Sequence, residues 1–428
     1  MDIEAFGRRP VRIRVGRLID ATSDEVLEGP AAVLVVDGRI AALGPDERVP
    51  RPDEARDFGF PSATALPGLI DNHVHVTLPP TVDPLATLAA ETDEQLVARG
   101  AVAAERMVRA GVTTAVDLGA RGTTGFRVRE VIDRGISVGP RLLVAGRPVT
   151  PTRGHCHFFG GEADGVDGVR AAIRGLIEDE GADIIKMIAT GGGLTAGTDS
   201  REAAYDTEVL RAAADETHRL GRRITTHAHG VPGIRRATEA GIDSIQHCTM
   251  LGPNWEWTFD EDVARLMAER GTRAIPTISA GTRFEVEAGV DINKLQPNPG
   301  AMTRADWWAN ARSLHEAGVT IVPGTDVGVN LTDFGEELFF ELEAYVGWGL
   351  APMATIRKAT AVSAWNLGLE AETGSLQPGL AGDVLVVDGR PDQDISALRR
   401  PLLVLRGGRP IQPTPPPPAP ARATAARA

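Results

Sequence analysis

Eight apolar runs of strand length recur at 66–74, 112–118, 141–147, 183–189, 223–229, 244–248, 273–279 and 319–325, with helical patterns in most of the intervals. That alternation constrains the fold more than any other feature of the chain. Residues 260–270 and 305–317 are the clearest helical stretches. Eight strand–helix units over roughly 300 residues suit a closed (β/α)8 barrel, the TIM barrel, better than an open sheet. An open doubly wound sheet more often carries a glycine-rich phosphate turn after its first strand, and none follows residue 74. The expected class is α/β.

The two ends have a different texture. Residues 11–15 and 32–40 alternate apolar and polar, with Asp37-Gly38 as a hairpin turn, and the pattern returns at 383–390 and 402–408. The ends are therefore expected to join in one small β domain. From Pro410 on the chain is Pro/Ala-rich and is expected to be disordered. Three connections after strands, at 150–166, 190–207 and 280–302, exceed the usual loop length. A barrel puts such loops at its C-terminal face, where its chemistry is built.

Charge and cysteine content exclude several classes. The net charge of −13 argues against nucleic acid and against an anionic membrane as partners. Two cysteines, Cys156 and Cys248, are too few for a disulfide framework or a thiolate zinc site. The start Met1-Asp2-Ile3-Glu4 lacks the order of a signal segment. No stretch approaches the roughly 18 uninterrupted apolar residues of a membrane span. A cytoplasmic protein is expected.

One residue interrupts the fourth run. Lys186 stands in Ile184-Ile185-Lys186-Met187-Ile188, where a buried ammonium is costly unless something pairs with it. A desolvated lysine has a lowered pKa and can react with CO2. The carbamate so formed is anionic and has two oxygens, enough to bridge two cations. The ends of other runs offer the remaining ligands. His73 and His75 share one face of a strand and can bind one ion. His227 and His247 end adjacent strands and can hold a second. His229 is placed for substrate contact, with a structural role as the alternative. Asp326 follows the eighth run, where a carboxylate can orient a metal-bound water and carry its proton to the leaving group; a helix N-cap is the plainer reading.

The whole pattern resembles the amidohydrolase superfamily. Pro67-Gly68-Leu69-Ile70-Asp71-Asn72-His73-Val74-His75 is similar to its first-strand signature, and residues 374–384 resemble its return into a β-sandwich domain. Asp183 to Gly193, His227-Ala228-His229-Gly230 and Gly154-His155 resemble the imidazolonepropionase-like and prolidase-like branch, which includes dipeptide hydrolases and the fungal ochratoxin amidase. The resemblance implies a β-sandwich from residues 1–64 and 370–410, a barrel over 65–369 and a tail from 411. It implies two divalent ions, usually zinc, and an N-carboxylated Lys186. His73, His75, Lys186 and Asp326 would hold one ion, and Lys186, His227 and His247 the other. His155 matches a histidine that touches substrate. It also implies a small-molecule amide substrate and a homo-oligomer. Three residues depart from the pattern: Cys156 and Cys248 stand where glycine is common, and Phe334 where a histidine is.

The expected reaction is hydrolysis of a peptide-like or N-acyl amino acid bond by a hydroxide bridging the two ions, with Asp326 moving the proton and His155 or His229 steadying the intermediate. Carbamate, urea or ester hydrolysis uses the same machinery. A deaminase commonly has one metal and a Glu near the fifth- or sixth-strand histidine, and a catalytically silent scaffold usually loses ligands. Phe158, Phe159, Trp255, Trp257, Trp307 and Trp308 fall in or near the loops of the C-terminal face and suit an apolar acyl group, or simple packing.

Overall fold

The computed structural model describes residues 9–280, 304–329 and 331–413. The alternating N-terminal segments form β1 (Val11–Leu18), β2 (Leu27–Val36), β3 (Arg39–Pro45) and β4 (Arg56–Pro67). Asp37 and Gly38 both take positive φ, 49° and 77°, the turn an Asp-Gly pair favours between twisted strands.

The chain then enters an α/β body. Its strands are β5 (Leu69–Val74), β6 (Val112–Asp117), β7 (Arg141–Val144), β8 (Ile184–Ile188), β9 (Arg223–Gly230), β10 (Ser244–Leu251) and β11 (Arg273–Ile275). Helices separate them: α1 (Pro84–Ala90), α2 (Asp93–Arg109), α3 (Thr124–Asp133), α4 (Gly165–Arg174), α5 (Thr207–Arg219), α6 (Val231–Ala240) and α7 (Glu261–Arg270). α8 (Arg304–Glu316) and α9 (Glu337–Gly347) follow. Helix α7 shows how local sequence sets these elements. Asp260 caps it by accepting from the Val263 N–H, Gly271 ends it at φ 68°, and Val263, Ala264 and Met267 form its buried face. Burying Val263 and Met267 stabilises the helix by about 1.5–3 kcal/mol each, more than the ~1 kcal/mol of the cap.

Every strand pairing in the body is parallel: β5, β6 and β7 make one sheet, and β8 to β11 another. The bridge Val149↔Met187 links the two sheets on one side; Ala274↔Ile321 and Val74↔Val327 link β11 and β5 to the eighth run on the other. Strands β5, β6, β8 and β10 are buried at every position, as parallel strands with both faces covered must be. The seventh run stops at Ile275, short of 279, and the eighth makes bridges without a strand of its own. Thr277 turns to φ 51°, and Pro323 has no N–H for a ladder.

The C-terminal strands β12 (Val384–Val387), β13 (Pro401–Arg406) and β14 (Arg409–Ile411) return to the N-terminal ones. All seven join in one sheet, ordered β14-β13-β12-β4-β1-β2-β3, with β1 and β4 parallel. Ile13, Val33, Val386 and Leu405 share a core on one face. Leu385, Val387 and Val404 turn onto the α/β body. Ile411 is buried there too, so order runs past Pro410, where composition starts the tail. β14 is an edge strand, where proline is tolerated. Residues 414–428 lie outside the described residues. Among the described residues no helix is long and apolar enough to cross a membrane.

Asp383 fastens this sheet to the body. Its carboxylate accepts from Arg141 at 3.0 Å, Thr373 Oγ1 at 2.8 Å and the Gly407 N–H at 2.7 Å, and its side chain is 2% exposed. Asp383→Ala strands three donors and is expected to lower stability by about 3 kcal/mol. Urea unfolding checks this: the midpoint falls while the slope is unchanged.

Candidate metal centre

His73 lies near the end of β5 and His75 just beyond it. Their Nε2 atoms are 3.2 Å apart, and Asp326 Oδ1 is 3.2 Å from each. Three metal-ligating atoms thus converge on one point. The backbone around Asp71 holds this arrangement. The Asp326 N–H donates to His73 O at 2.8 Å. Asp71 accepts from the His73 N–H (3.1 Å), the Thr325 N–H (3.1 Å) and Thr325 Oγ1 (2.8 Å). Asn72 Nδ2 donates to Pro323 O at 2.8 Å. Burial raises the Asp71 carboxyl to about 7, against the pull of those hydrogen bonds.

A second group forms at the ends of β9 and β10. β9 and β10 are neighbours, with Gln246 opposite His227. The ligand atoms of His227, His229 and His247 all lie within 4.8 Å of one another. His229, read from the sequence as a substrate contact or a structural residue, therefore stands among the expected ligands. Its ring stacks on His247 with centroids 4.7 Å apart.

Lys186 rises from β8, beside β9, and is buried. Burial pulls its pKa to about 8. Its charge reaches histidines of both groups: after burial it is the next cause lowering His73, and it adds to burial and the neighbouring rings in lowering His227 and His247. His75 goes the other way: burial lowers it, but the hydrogen bond and charge of Asp326, with Asp117 and the Gly119 carbonyl, together raise it above its ordinary value. The outer nitrogens are tied down. His75 Nδ1 meets Gly119 O at 3.0 Å, His227 Nε2 meets Gly191 O at 3.0 Å, and His247 Nδ1 meets Thr277 Oγ1 at 2.9 Å. Such outer bonds fix ring orientation and basicity in metal sites. His247 and Asp326 also hold left-handed backbone, φ 65° and 60°. Non-glycine residues pay about 1–3 kcal/mol for that, a strain that gathers at functional sites.

All eight expected residues line one cavity of about 670 Å³: His73, His75, His155, Lys186, His227, His229, His247 and Asp326, with Cys156 beside them. Buried His155 is drawn down to about 3, chiefly by desolvation, and is neutral. Of the six loop aromatics, Trp255 and Trp307 line the cavity. Phe159 is buried against His75, and Trp257 donates to Asn310 Oδ1 at 3.0 Å. Phe334 packs in the core with Val327 and Leu338 and does not line the cavity. The loops at 150–166 and 190–207 both border it; of the loop at 280–302, Ala280 does so and the rest lies outside the described residues.

A parallel α/β body carrying this donor set at its strand ends defines a hydrolase class, and comparison agrees: the amidohydrolase family matches residues 64–411, and the chain belongs to that family. It is an enzyme that hydrolyses carbon–nitrogen bonds. Among individual proteins it is similar to the ochratoxinase of Aspergillus niger, 28% identical over 418 residues, covering 87% of this chain and 80% of the relative. The imidazolonepropionase of Saccharopolyspora erythraea is 27% identical over 372 residues, 84% of this chain and 86% of its own. A Xaa-Pro dipeptidase solved with methionine in its active site superposes with a TM-score of 0.82 at 29% identity, covering 94% of this chain and 99% of that one.

Proposed function

We propose that this protein is a binuclear metal-dependent amidase on a (β/α)8 barrel (residues 65–369), cleaving a peptide-like or N-acyl amino acid bond. The bridges on both sides of the two parallel sheets support closure of the barrel. The observation that carries the functional reading is the pair of donor groups, His73/His75/Asp326 and His227/His229/His247, with Lys186 in the same cavity.

The donors fit divalent cations. The rings of His73, His227 and His247 are kept neutral by burial, as ligation requires, and imidazole with carboxylate suits Zn2+. Carboxylated by CO2, Lys186 would become an anionic oxygen donor. His73, His75, Lys186 and Asp326 would hold one ion, and Lys186, His227 and His247 the other. Two bound ions supply Lewis-acid polarisation of the carbonyl and a water acidified from about 15.7 toward 7. Asp326 takes the proton of the attacking water as its oxygen adds to the carbonyl carbon. It returns that proton to the leaving nitrogen as the C–N bond breaks, giving a carboxylic acid and an amine. Trp255 and Trp307 line the same cavity and bring apolar surface suited to an aromatic or aliphatic acyl group.

The names of the relatives, an ochratoxinase and a Xaa-Pro dipeptidase, support amide chemistry. Among the described residues lining the cavity there is no glutamate, the group a deaminase of this family commonly uses. Elemental analysis of protein grown with zinc and bicarbonate tests the reading. About two ions per chain, with turnover of N-acyl amino acids or dipeptides, is expected; one ion or none overturns the binuclear assignment.

A further inference from the structure

The imidazoles around this cavity do not all present the same chemistry, and hydrogen-bond accounting separates them. A backbone carbonyl can only accept. His75 therefore carries its proton on Nδ1, against Gly119 O, and His227 carries its proton on Nε2, against Gly191 O. His227 is left with a bare Nδ1, which is what a metal ligand needs, whereas the Nε2 of His75 faces the Asp326 carboxylate at 3.2 Å. Thr249 puts His229 in a like state. Its hydroxyl donates to His229 O at 3.4 Å, so Oγ1 accepts from His229 Nδ1–H at 3.0 Å and Nε2 is bare.

Thr195 works in the opposite direction. Its buried Oγ1 already accepts the Cys156 N–H at 3.0 Å. Among the described residues, the acceptor recorded within reach of its own proton is His155 Nδ1, 3.0 Å away. Were the ring the donor, the hydroxyl proton would have no protein acceptor among the described residues, in a site where polar groups are paired. The hydroxyl therefore donates, Nδ1 is bare, and the proton of His155 sits on Nε2. That atom faces Gly192, where a Cβ would stand only 2.4 Å from it. Glycine leaves the Nε2–H clear, and His155 and Gly192 both line the cavity.

We propose that Thr195 is a positioning residue that fixes His155 as an N–H donor to the oxyanion of the tetrahedral intermediate, while Thr249 holds His229 in the opposite, acceptor state. The role at the oxyanion rests on the amide-hydrolase reading; the tautomers do not. A neutral imidazole N–H aimed at developing negative charge stabilises it without reorganisation. With its proton on Nδ1, the same ring would turn a lone pair toward that charge and oppose the reaction.

Long-range proton–nitrogen correlation spectra of the zinc-loaded full chain, labelled with 15N-histidine, read the tautomers directly. His155→Gln assigns the His155 signals and His229→Gln those of His229. The expected result for His155 is a protonated Nε2 and a bare Nδ1 in the wild type and in Thr195→Ser. In Thr195→Val the proton is expected to redistribute toward Nδ1. His229 is expected to show the reverse pattern in all three. In steady-state assays with an N-acyl amino acid, Thr195→Val is expected to lower kcat by about tenfold or more. That is less than the roughly 100- to 1,000-fold of losing an oxyanion donor outright. KM should change little, and Thr195→Ser should restore kcat. A wild-type His155 protonated on Nδ1 overturns the proposal, and so does a Val variant that matches the Ser variant in tautomer and kcat. The wild-type spectrum decides even where the Val variant does not fold. A chain with the expected tautomers but no amidase turnover upholds the threonine assignment and sinks the hydrolase reading instead.

Discussion

Lys186→Ala, grown with zinc and bicarbonate, is expected to retain less than about one ion per chain and to lose at least about 1,000-fold in kcat/KM, or roughly 4 kcal/mol of transition-state stabilisation. In the proposed centre the lysine serves both donor sets, so its removal would take an anionic oxygen from each. Misfolding predicts a different result. In the metal-free chain Lys186 is a buried ammonium, costly to desolvate, and its loss leaves the metal-free variant within about 1 kcal/mol of the metal-free wild type. Short carboxylates such as propionate fit the space left by the side chain and are expected to restore part of the metal content. The pH dependence of reactivation has a definite sign. CO2 reacts with the free amine, and burial draws Lys186 to about 8. At pH 7.5 about a quarter of the chains then carry the free amine, against about one in a thousand for a solvated lysine. At a constant dissolved CO2 concentration, reactivation of metal-free protein by CO2 and zinc should rise severalfold between pH 6.5 and 7.5 and flatten above the lysine's pKa of about 8. A rate flat across that range, or a variant that keeps two ions, removes the carbamate from the mechanism.

The candidate donors were legible because each sits where strand periodicity meets a chemically costly residue. Lys186 in an apolar run and His73-Val74-His75 at the end of another need no structure to be noticed, and both are buried in the common cavity. What holds them in place was not legible. Thr195, Thr249 and Thr277 are ordinary loop or strand threonines in the sequence. Their partners lie 40, 20 and 30 residues away, separations that no local pattern encodes. Asp71 belonged to a recognisable signature, yet its bonds to Thr325 cross 254 residues. The same limit applies to the fold. Alternation found β1 to β3, but the parallel pairing of β1 with β4 is a tertiary choice. Helix α7 was readable from its helical pattern at 260–270, whereas the short eighth run looked like a strand because Pro323 and the turn to Asp326 act on hydrogen bonds rather than on hydrophobicity. His229 is the instructive case: its spacing allowed substrate contact, and only the packing of β9 against β10 brought it within 4.8 Å of His227 and His247.

Asp326→Asn separates ligation from proton transfer. The amide has nearly the shape of the carboxylate, and the loop that presents it is held by Asp71, Asn72 and the His73 carbonyl rather than by the side chain itself. With His73, His75 and Lys186 still in place, the variant is expected to keep close to two ions at saturating zinc. An amide cannot take the proton of the attacking water or hand one to the leaving nitrogen, so kcat should fall by about 100- to 10,000-fold while KM moves by less than about threefold. Asp326→Glu should not restore the rate. The backbone at φ 60° fixes the starting direction of the side chain, and an added methylene pushes the carboxylate past the point 3.2 Å from His73 and His75. Single-turnover measurements on an activated ester with the same acyl group sharpen the distinction, because a good leaving group does not need protonation. There the Asn variant is expected to recover much of its deficit. If it does not, or if metal and activity fall together, Asp326 is a ligand alone, and the proton to the amine must travel by another group in the cavity.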